Sequence, residues 1–161
     1  TLFPYTTLFR SCARLNKIIG PETFNGSLLL LPKSCRLTEF TLEGISNIQG
    51  DFQCIDYFYV KEFVMPFIRV AGDMTIALNS GSVNTAAEIE FPKLQEIGGT
   101  LTLGTNKNAN NITFPLLKKI LGSCSVTTYK LKNDIEFTNL ESIGTDGADA
   151  QIKFEIGRAH V

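Results

Sequence analysis

The sequence predicts an all-β fold, a right-handed parallel β-solenoid of about five to six turns, each of roughly 22 to 27 residues. The first observation behind this prediction is a repeat. Residues 91–103 read FPKLQEIGGTLTL, residues 114–126 read FPLLKKILGSCSV, and a third copy begins FTNLESIG at Phe137. The second observation is that a glycine in the first two copies precedes alternating apolar and polar residues, the pattern of a half-buried strand. A repeat of this length is typical of a solenoid, because a turn buries its apolar residues only against neighbouring turns.

An apolar frame extends from these copies in both directions along the chain. Within a copy, the frame residues are spaced three apart before the glycine and two apart after it. Turn by turn they are Leu15, Ile18, Ile19, Leu28 and Leu30; Leu42, Ile45, Ile48, Phe52 and Cys54; Met65, Ile68, Val70, Met74 and Ile76; Phe91, Leu94, Ile97, Leu101 and Leu103; Phe114, Leu117, Ile120, Cys124 and Val126; and Phe137, Leu140 and Ile143. We expect these side chains to form one continuous core.

Glycine recurs at one place in every turn. The recurring positions are Gly26, Gly50, Gly72, Gly99 and Gly122. A glycine just before a strand allows a positive φ or a tight corner, and we expect one of these uses here. Helical periodicity is weak, so that at most a short helix is predicted within residues 13–19 or 56–63. Polar inserts such as residues 79–90 are predicted to be surface loops.

The two ends of the chain do not follow the repeat. Residues 1–11, TLFPYTTLFRS, and residues 155–161, EIGRAHV, resemble in-frame translations of sequencing adapters. Such segments are set aside before a fold is predicted. We therefore expect residues 12–154 to form a single solenoid domain, an internal fragment of a longer protein, with an artefactual tail on each side.

The composition argues against several classes of function. The single histidine, His160, lies in the second tail, so the predicted domain lacks the commonest general base and zinc ligand. A Ser/His/Asp or Cys/His catalytic arrangement is therefore not predicted, nor is any cofactor or metal. The formal net charge of −1 gives no electrostatic reason to expect nucleic acid as a partner. No apolar run approaches the roughly 18 residues that a membrane helix needs, so no membrane contact is predicted.

The four cysteines show no CxxC pair and no metal-ligand spacing. Cys54 and Cys124 occupy frame positions that other turns fill with Leu, Ile or Val, which predicts buried thiols that pack as small apolar groups. Cys12 and Cys35 are candidates for a disulfide near the N-terminal end if the protein is secreted. Both alternatives, free thiols and a disulfide, stay open for that pair.

The repeat FPKLQEIGGTLTL and its copy FPLLKKILGSCSV resemble the repeats of receptor L domains, which are leucine-rich-repeat-like solenoids of growth-factor receptor ectodomains. Similar repeats occur in fungal cell-wall proteins and bacterial surface proteins. Two turns also carry the leucine-rich-repeat step that ends in asparagine, at Asn79 and Asn106, whereas Tyr57 and Tyr129 stand there in two others. The chain therefore resembles L domains more closely than regular leucine-rich repeats. The resemblance implies a solenoid at the cell surface or outside the cell.

Polar residues between the frame residues are predicted to lie on the outer surface of the strands. They form two columns across successive turns, and we regard both as candidate ligand-binding residues. The first column is Asp51, Asp73, Thr100 and Ser123, and the second is Gln53, Thr75, Thr102 and Ser125. Stacked hydroxyl and amide groups on a sheet hydrogen-bond sugars or peptides, and they also suit a solvated strand that binds nothing.

Three further features are candidates for function. Asp51 and Asp73 are expected to be neighbours on adjacent turns, at a separation suited to a glycosidase pair or to Ca²⁺, although two solvated carboxylates are the simpler interpretation. Tyr57 lies in the most aromatic segment and is a candidate anchor for a ligand. Asn25-Gly-Ser and Asn111-Ile-Thr match the acceptor pattern for N-glycosylation, a pattern that also arises by chance.

These observations favour a non-catalytic recognition or adhesion solenoid, located outside the cell or on its surface, that presents a polar sheet face to a protein or glycan ligand. The principal alternative is a polysaccharide-active β-helix enzyme that uses Asp51 and Asp73. A third hypothesis is a structural spacer that binds no ligand.

Overall fold

The computed structural model describes residues 5–10, 17–31, 41–58, 62–80, 87–104, 109–128, 135–145 and 152–156. These residues form nineteen β-strands and no helix. The all-β prediction is therefore confirmed for the described part of the chain. The predicted short helices are wrong where they can be compared, because Lys17–Ile19, Phe52–Phe58 and Glu62–Val64 are strands.

The strands belong to three large parallel sheets and one strand pair. Sheet 1 consists of β1 (Tyr5–Arg10), β4 (Gly26–Leu31), β7 (Phe52–Phe58), β10 (Met74–Ser80), β13 (Leu101–Leu103), β16 (Cys124–Thr128) and β19 (Ile152–Ile156). Sheet 2 consists of β3 (Thr23–Phe24), β6 (Asn47–Ile48), β9 (Arg69–Val70), β12 (Glu96–Ile97), β15 (Lys119–Ile120) and β18 (Ser142–Ile143). Sheet 3 consists of β8 (Glu62–Val64), β11 (Ala87–Glu90), β14 (Ala109–Thr113) and β17 (Ile135–Glu136), and the separate pair is β2 (Lys17–Ile19) with β5 (Thr41–Glu43).

The order of the strands establishes a parallel β-solenoid. Each sheet contains every third strand of the chain in sequence order, so the chain visits sheet 2, then sheet 1, then sheet 3, and starts the next turn. Four turns contribute a strand to all three sheets, namely β6–β8, β9–β11, β12–β14 and β15–β17. The predicted count of five to six is slightly too high, because the outermost repeats add strands to only some of the sheets.

The core fills the space inside the turns. Alternate residues of sheet 1 point inward in register, so that Met74 lies between Phe52 and Leu101, and Cys124 follows on the next turn. All four are buried. Because every turn places its apolar residues at the same positions, the inward columns run through the stack without interruption. The predicted continuous core is confirmed for the described frame residues, apart from the register differences described next.

Two frame positions were predicted in the wrong register. Phe67 is fully buried, whereas the predicted frame residue Ile68 is 38% exposed. The backbone N–H of Gln95 donates to the carbonyl of Ile68, which aligns Ile68 with the exposed Gln95. This turn is one residue shorter between Met65 and Val70 than the other turns are at the same place, so the three-residue spacing placed the frame at Ile68 instead of Phe67. In the first turn, Ile19 is 72% exposed, and Phe24 on β3 packs against the core instead.

A stack of phenylalanines lies along the corner between sheets 3 and 2. The rings of Phe91 and Phe114 lie 5.0 Å apart and those of Phe114 and Phe137 lie 5.1 Å apart, each pair within 5° of parallel. Phe63 meets Phe91 edge to face at 6.5 Å. Each aromatic pair contributes about 0.5–1.5 kcal/mol beyond the area it buries. The phenylalanine that begins each copy of the sequence repeat is thus an inter-turn contact.

The recurring glycines allow close approach between turns, and the alternative of a positive φ is not realised at Gly50, Gly72, Gly99 or Gly122. Their backbones form a ladder in which each N–H donates to the glycine carbonyl of the preceding turn at 2.9–3.0 Å. A Cβ on Gly72 would lie only 2.8 Å from the carbonyl carbon of Gly50. Among the glycines that the structure describes, those with positive φ are Gly44 and Gly144.

The cysteine and loop predictions are partly tested. Cys54 and Cys124 are free and buried, as predicted. Cys12 and Cys35 lie outside the described residues, as does half of the predicted loop at 79–90. That loop is shorter than predicted, since β10 extends to Ser80 and β11 begins at Ala87.

Burial gives a prediction for the Cys54 thiol. Desolvation raises its pKa well above the ordinary value, so the reactive thiolate does not form in the folded chain near neutral pH. We expect alkylation at pH 8, located by peptide mass spectrometry, to leave Cys54 unmodified in the native chain and to modify it in urea. Because the folded state prefers the neutral thiol, this group also removes stability as pH rises above the ordinary cysteine pKa. Equal alkylation rates in native and unfolded chains would contradict the buried position.

Candidate functional site

One polar column lies on the outer surface of sheet 1. Gln53, Thr75, Thr102 and Ser125 occupy the same position on β7, β10, β13 and β16, and adjacent members are register partners. All four are half-buried and alternate with fully buried neighbours. We call these four residues the outer column. Their placement on one face follows from the two-residue period of a strand, and neighbouring strands lie about 4.8 Å apart.

A second column on the same surface was not singled out from the sequence. Ile55 and Ala77 are register partners, and Gly104 and Thr127 occupy the same position on the next two turns. A Cβ on Gly104 would lie 2.8 Å from the Cβ of Ala77, so this column is flat at its centre. The two-residue alternation along each strand could have identified this second column, because the alternation continues for two residues beyond the outer column. A strip of small and apolar groups therefore lies beside the hydroxyls and the amide.

The other predicted column lies at the corner between sheets 2 and 1, just before each strand of sheet 1. We call Ser27, Asp51, Asp73, Thr100 and Ser123 the corner column. The backbone N–H of Asp51 donates to Ser27 Oγ at 3.0 Å, that of Asp73 to Asp51 Oδ1 at 2.9 Å, and that of Thr100 to Asp73 Oδ1 at 2.7 Å. The N–H of Ser123 donates to Thr100 Oγ1 at 3.4 Å. The first four side chains of the column thus each accept a hydrogen bond from the next turn.

The corner column and the glycine ladder are two parts of one arrangement. A Cβ on Gly72 would lie 2.2 Å from Asp51 Oδ1, and a Cβ on Gly99 would lie 2.2 Å from Asp73 Oδ1. The carboxylate of one turn therefore crosses over the glycine of the next turn to reach the amide that follows it. Only a residue without a side chain leaves that path open.

This arrangement limits the chemistry of Asp51 and Asp73. One oxygen of each carboxylate accepts a backbone hydrogen bond, so both side chains are oriented along the stack of turns. A carboxylate has further acceptor sites, which leaves capacity for a ligand. Within the described ranges, no group of three or more Cys, His, Asp or Glu side chains is arranged to hold a metal ion.

The outer surfaces of sheets 2 and 3 differ from sheet 1 in charge. On sheet 2, Arg69 pairs with Glu96 at 2.8 Å, and Lys119 is the register partner of Glu96 on the following turn. Sheet 3 carries Glu88, Glu90 and Glu136 on its strands, none of which packs into the core. Between β7 and β16, the described outward side chains of sheet 1 carry no charge. A ligand that covers sheet 1 therefore meets a smaller desolvation cost than one that covers sheet 2 or sheet 3.

Tyr57 is the one candidate whose side chain cannot be placed. Its backbone lies in β7 as the register partner of Asn79, but its side chain lies outside the described part of the structure. Its role as an anchor stays a prediction. Among the described residues, no helix has the length and apolar character to cross a membrane.

Comparison with protein-family models, curated proteins and solved structures finds no match to this chain. The β-solenoid architecture is shown by the structure itself. The closer resemblance to receptor L domains and leucine-rich repeats stays a prediction.

The corner column gives a prediction for Asp51. Replacing Asp51 by Ala removes the acceptor for the Asp73 N–H, and we expect the free energy of unfolding to fall by about 1 kcal/mol. Asp51→Asn is the matched control, because its amide oxygen still accepts the bond and no change in side-chain size occurs. Urea unfolding followed by circular dichroism measures both variants. Equal stability of Asp51→Ala and Asp51→Asn would show that the hydrogen bond does not stabilise the corner.

Proposed function

We propose that this chain is a non-catalytic recognition or adhesion solenoid and that the outer surface of sheet 1 binds a protein or glycan ligand. The observation that carries the proposal is that the described outward side chains between β7 and β16 are uncharged and that the outer column lies beside the strip of Ile55, Ala77, Gly104 and Thr127. Charged residues are depleted at the centres of protein interfaces, because their desolvation is costly.

The chemistry of this surface suits a flat ligand. The hydroxyls of Thr75, Thr102 and Ser125 and the amide of Gln53 both donate and accept hydrogen bonds, as the hydroxyls of a sugar or the backbone of an extended peptide require. The methyl group of Ala77 and the absence of a side chain at Gly104 let such a ligand approach the strands closely. The rigid parallel strands hold these groups at a fixed spacing, which lowers the entropy lost on binding.

The corner column supports a binding function over the polysaccharide-active enzyme. A glycosidase needs one carboxyl group as an acid and a second as a base or nucleophile, both facing the substrate. Asp51 and Asp73 instead direct an oxygen along the stack to a backbone amide. We therefore assign them a role in joining turns. We further propose an L-domain-like module outside the cell or at its surface, on the basis of the repeat sequence.

Arginine substitutions on the outer column test the proposed surface. The wild-type chain is first screened on arrays of glycans and peptides, and bound ligands are then titrated against Thr75→Arg and Thr102→Arg. We expect each variant to weaken binding at least about tenfold, which corresponds to about 1.4 kcal/mol, because a bulky charge covers the flat strip. Thr113→Arg is the matched control, since Thr113 is also a half-buried threonine on a strand, but on sheet 3. It should bind as the wild type does.

The same titration separates the three hypotheses. Asp51→Asn with Asp73→Asn keeps the backbone hydrogen bonds, so a binding module should retain its affinity, whereas an enzyme of the proposed alternative type should lose turnover. Ligands that bind equally to the wild type and to the two outer-column variants would place recognition on another surface. A chain that binds nothing on any array would support the structural spacer.

A further inference from the structure

The two N-glycosylation patterns of the sequence lie in different surroundings. Asn25 is exposed and occupies the corner between β3 and β4. The next turn forms backbone hydrogen bonds to the carbonyls on either side of it, with Gln49 N–H donating to Phe24 at 3.0 Å and Gly50 N–H to Gly26 at 2.9 Å. These inter-turn hydrogen bonds flank Asn25, whose side chain is exposed on the outside of the solenoid.

Asn111 lies in a less open position. It is half-buried within β14, a strand paired on both sides in sheet 3. Its Nδ2 donates to Glu88 Oε2 at 3.0 Å. A sugar on Nδ2 would have to fit beside the Glu88 carboxylate on the neighbouring strand. The fold thus accommodates a large substituent at Asn25 more readily than at Asn111.

We infer that Asn25 is an N-glycan acceptor when the chain passes through a compartment that contains a lipid-linked oligosaccharide. In the transfer, a bond forms between Asn25 Nδ2 and C1 of the sugar, and the amide loses one proton. The bond between C1 and the oxygen of the lipid pyrophosphate breaks, and the pyrophosphate leaves with the electron pair. The acceptor pattern requires the hydroxyl residue two positions later, which is Ser27.

The position of Ser27 determines when the transfer takes place. In the folded chain Ser27 Oγ accepts the hydrogen bond from the Asp51 N–H. The hydroxyl that the transferring enzyme must recognise is therefore engaged in the corner column after folding. We expect transfer to the chain before β4 and β7 pair, and no transfer to the purified folded protein.

A glycan at Asn25 is compatible with the proposed ligand surface. Asn25 lies at the corner of the turn before Gln53, whereas the outer column extends from Gln53 towards Ser125. The glycan would thus flank the N-terminal side of that surface and leave its centre open. This inference shares the expectation of export with the proposed function, but it does not depend on ligand binding.

Secretion of the full chain from yeast behind a cleavable signal peptide tests the inference. Intact glycopeptide mass spectrometry is the readout, because it identifies the modified asparagine directly. We expect a glycan on the peptide that contains Asn25, its complete loss in Asn25→Gln, and its retention in Asn111→Gln. Ser27→Thr should retain the glycan, because a threonine hydroxyl satisfies both the acceptor pattern and the Asp51 N–H.

Two results would overturn the inference. One is a secreted, folded wild-type chain whose Asn25 peptide carries no glycan. The other is efficient transfer to Asn25 in the purified folded chain, which would overturn the proposed order of events. A chain that lacks the glycan but still binds its ligand through the outer column would contradict this inference alone and leave the proposed function intact.

Discussion

The contact on which the solenoid most depends is the corner where the glycine of one turn meets the turn before it. At this corner the backbone N–H of Gly72 donates to the Gly50 carbonyl, and the Asp51 carboxylate crosses Gly72 to accept the N–H of Asp73. The same arrangement recurs one turn later with Gly99 and Asp73. This corner contact sets how closely two turns approach. It also aligns each turn with the next, which determines the register of the inward and outward columns of sheet 1.

Once the corner is fixed, the remaining columns are consequences of strand geometry. Inward residues stack on their equivalents, as the parallel rings of Phe91, Phe114 and Phe137 show. Outward residues stack in the same way, so the polar residue at the same position of each of four strands becomes part of the outer column. Between β7 and β16 the described outward side chains of sheet 1 carry no charge, whereas sheets 2 and 3 carry the charged residues named above. Architecture and the proposed binding surface therefore have a common origin.

The fold could be predicted well from the sequence because each turn places apolar residues at the same positions. The positions of Leu94, Ile97 and Leu101 are apolar in several turns, so burial at one turn indicates burial at the equivalent positions of the other turns. The prediction failed where a turn changes length: the turn is one residue short between Met65 and Val70, and Phe67 is buried instead of Ile68. The helices considered for residues 13–19 and 56–63 also failed where the structure describes those ranges, because sheet pairing between turns outweighs weak local preference.

The candidate site was predictable only in part. The outer column followed from the two-residue period, and Thr75 and Thr102 lie where that period puts them. The role of the corner column was not predictable, because a one-dimensional pattern cannot show that Asp51 reaches the amide of Asp73 on the next turn. For the same reason the sequence could not show whether the recurring glycines serve a positive φ or a tight corner. The short distance between each glycine and the preceding turn identifies the tight corner.

The most direct measurement is the stability of Gly72→Ala. A methyl group there would lie 2.2 Å from Asp51 Oδ1 and 2.8 Å from the backbone of Gly50, so the corner must shift to accept it. We expect urea unfolding to show a loss of roughly 2–3 kcal/mol, the cost of overpacking a tightly packed site, whereas the exposed control Ser142→Ala should stay within about 0.5 kcal/mol of the wild type. A Gly72→Ala variant as stable as the wild type would contradict the close corner contact between turns.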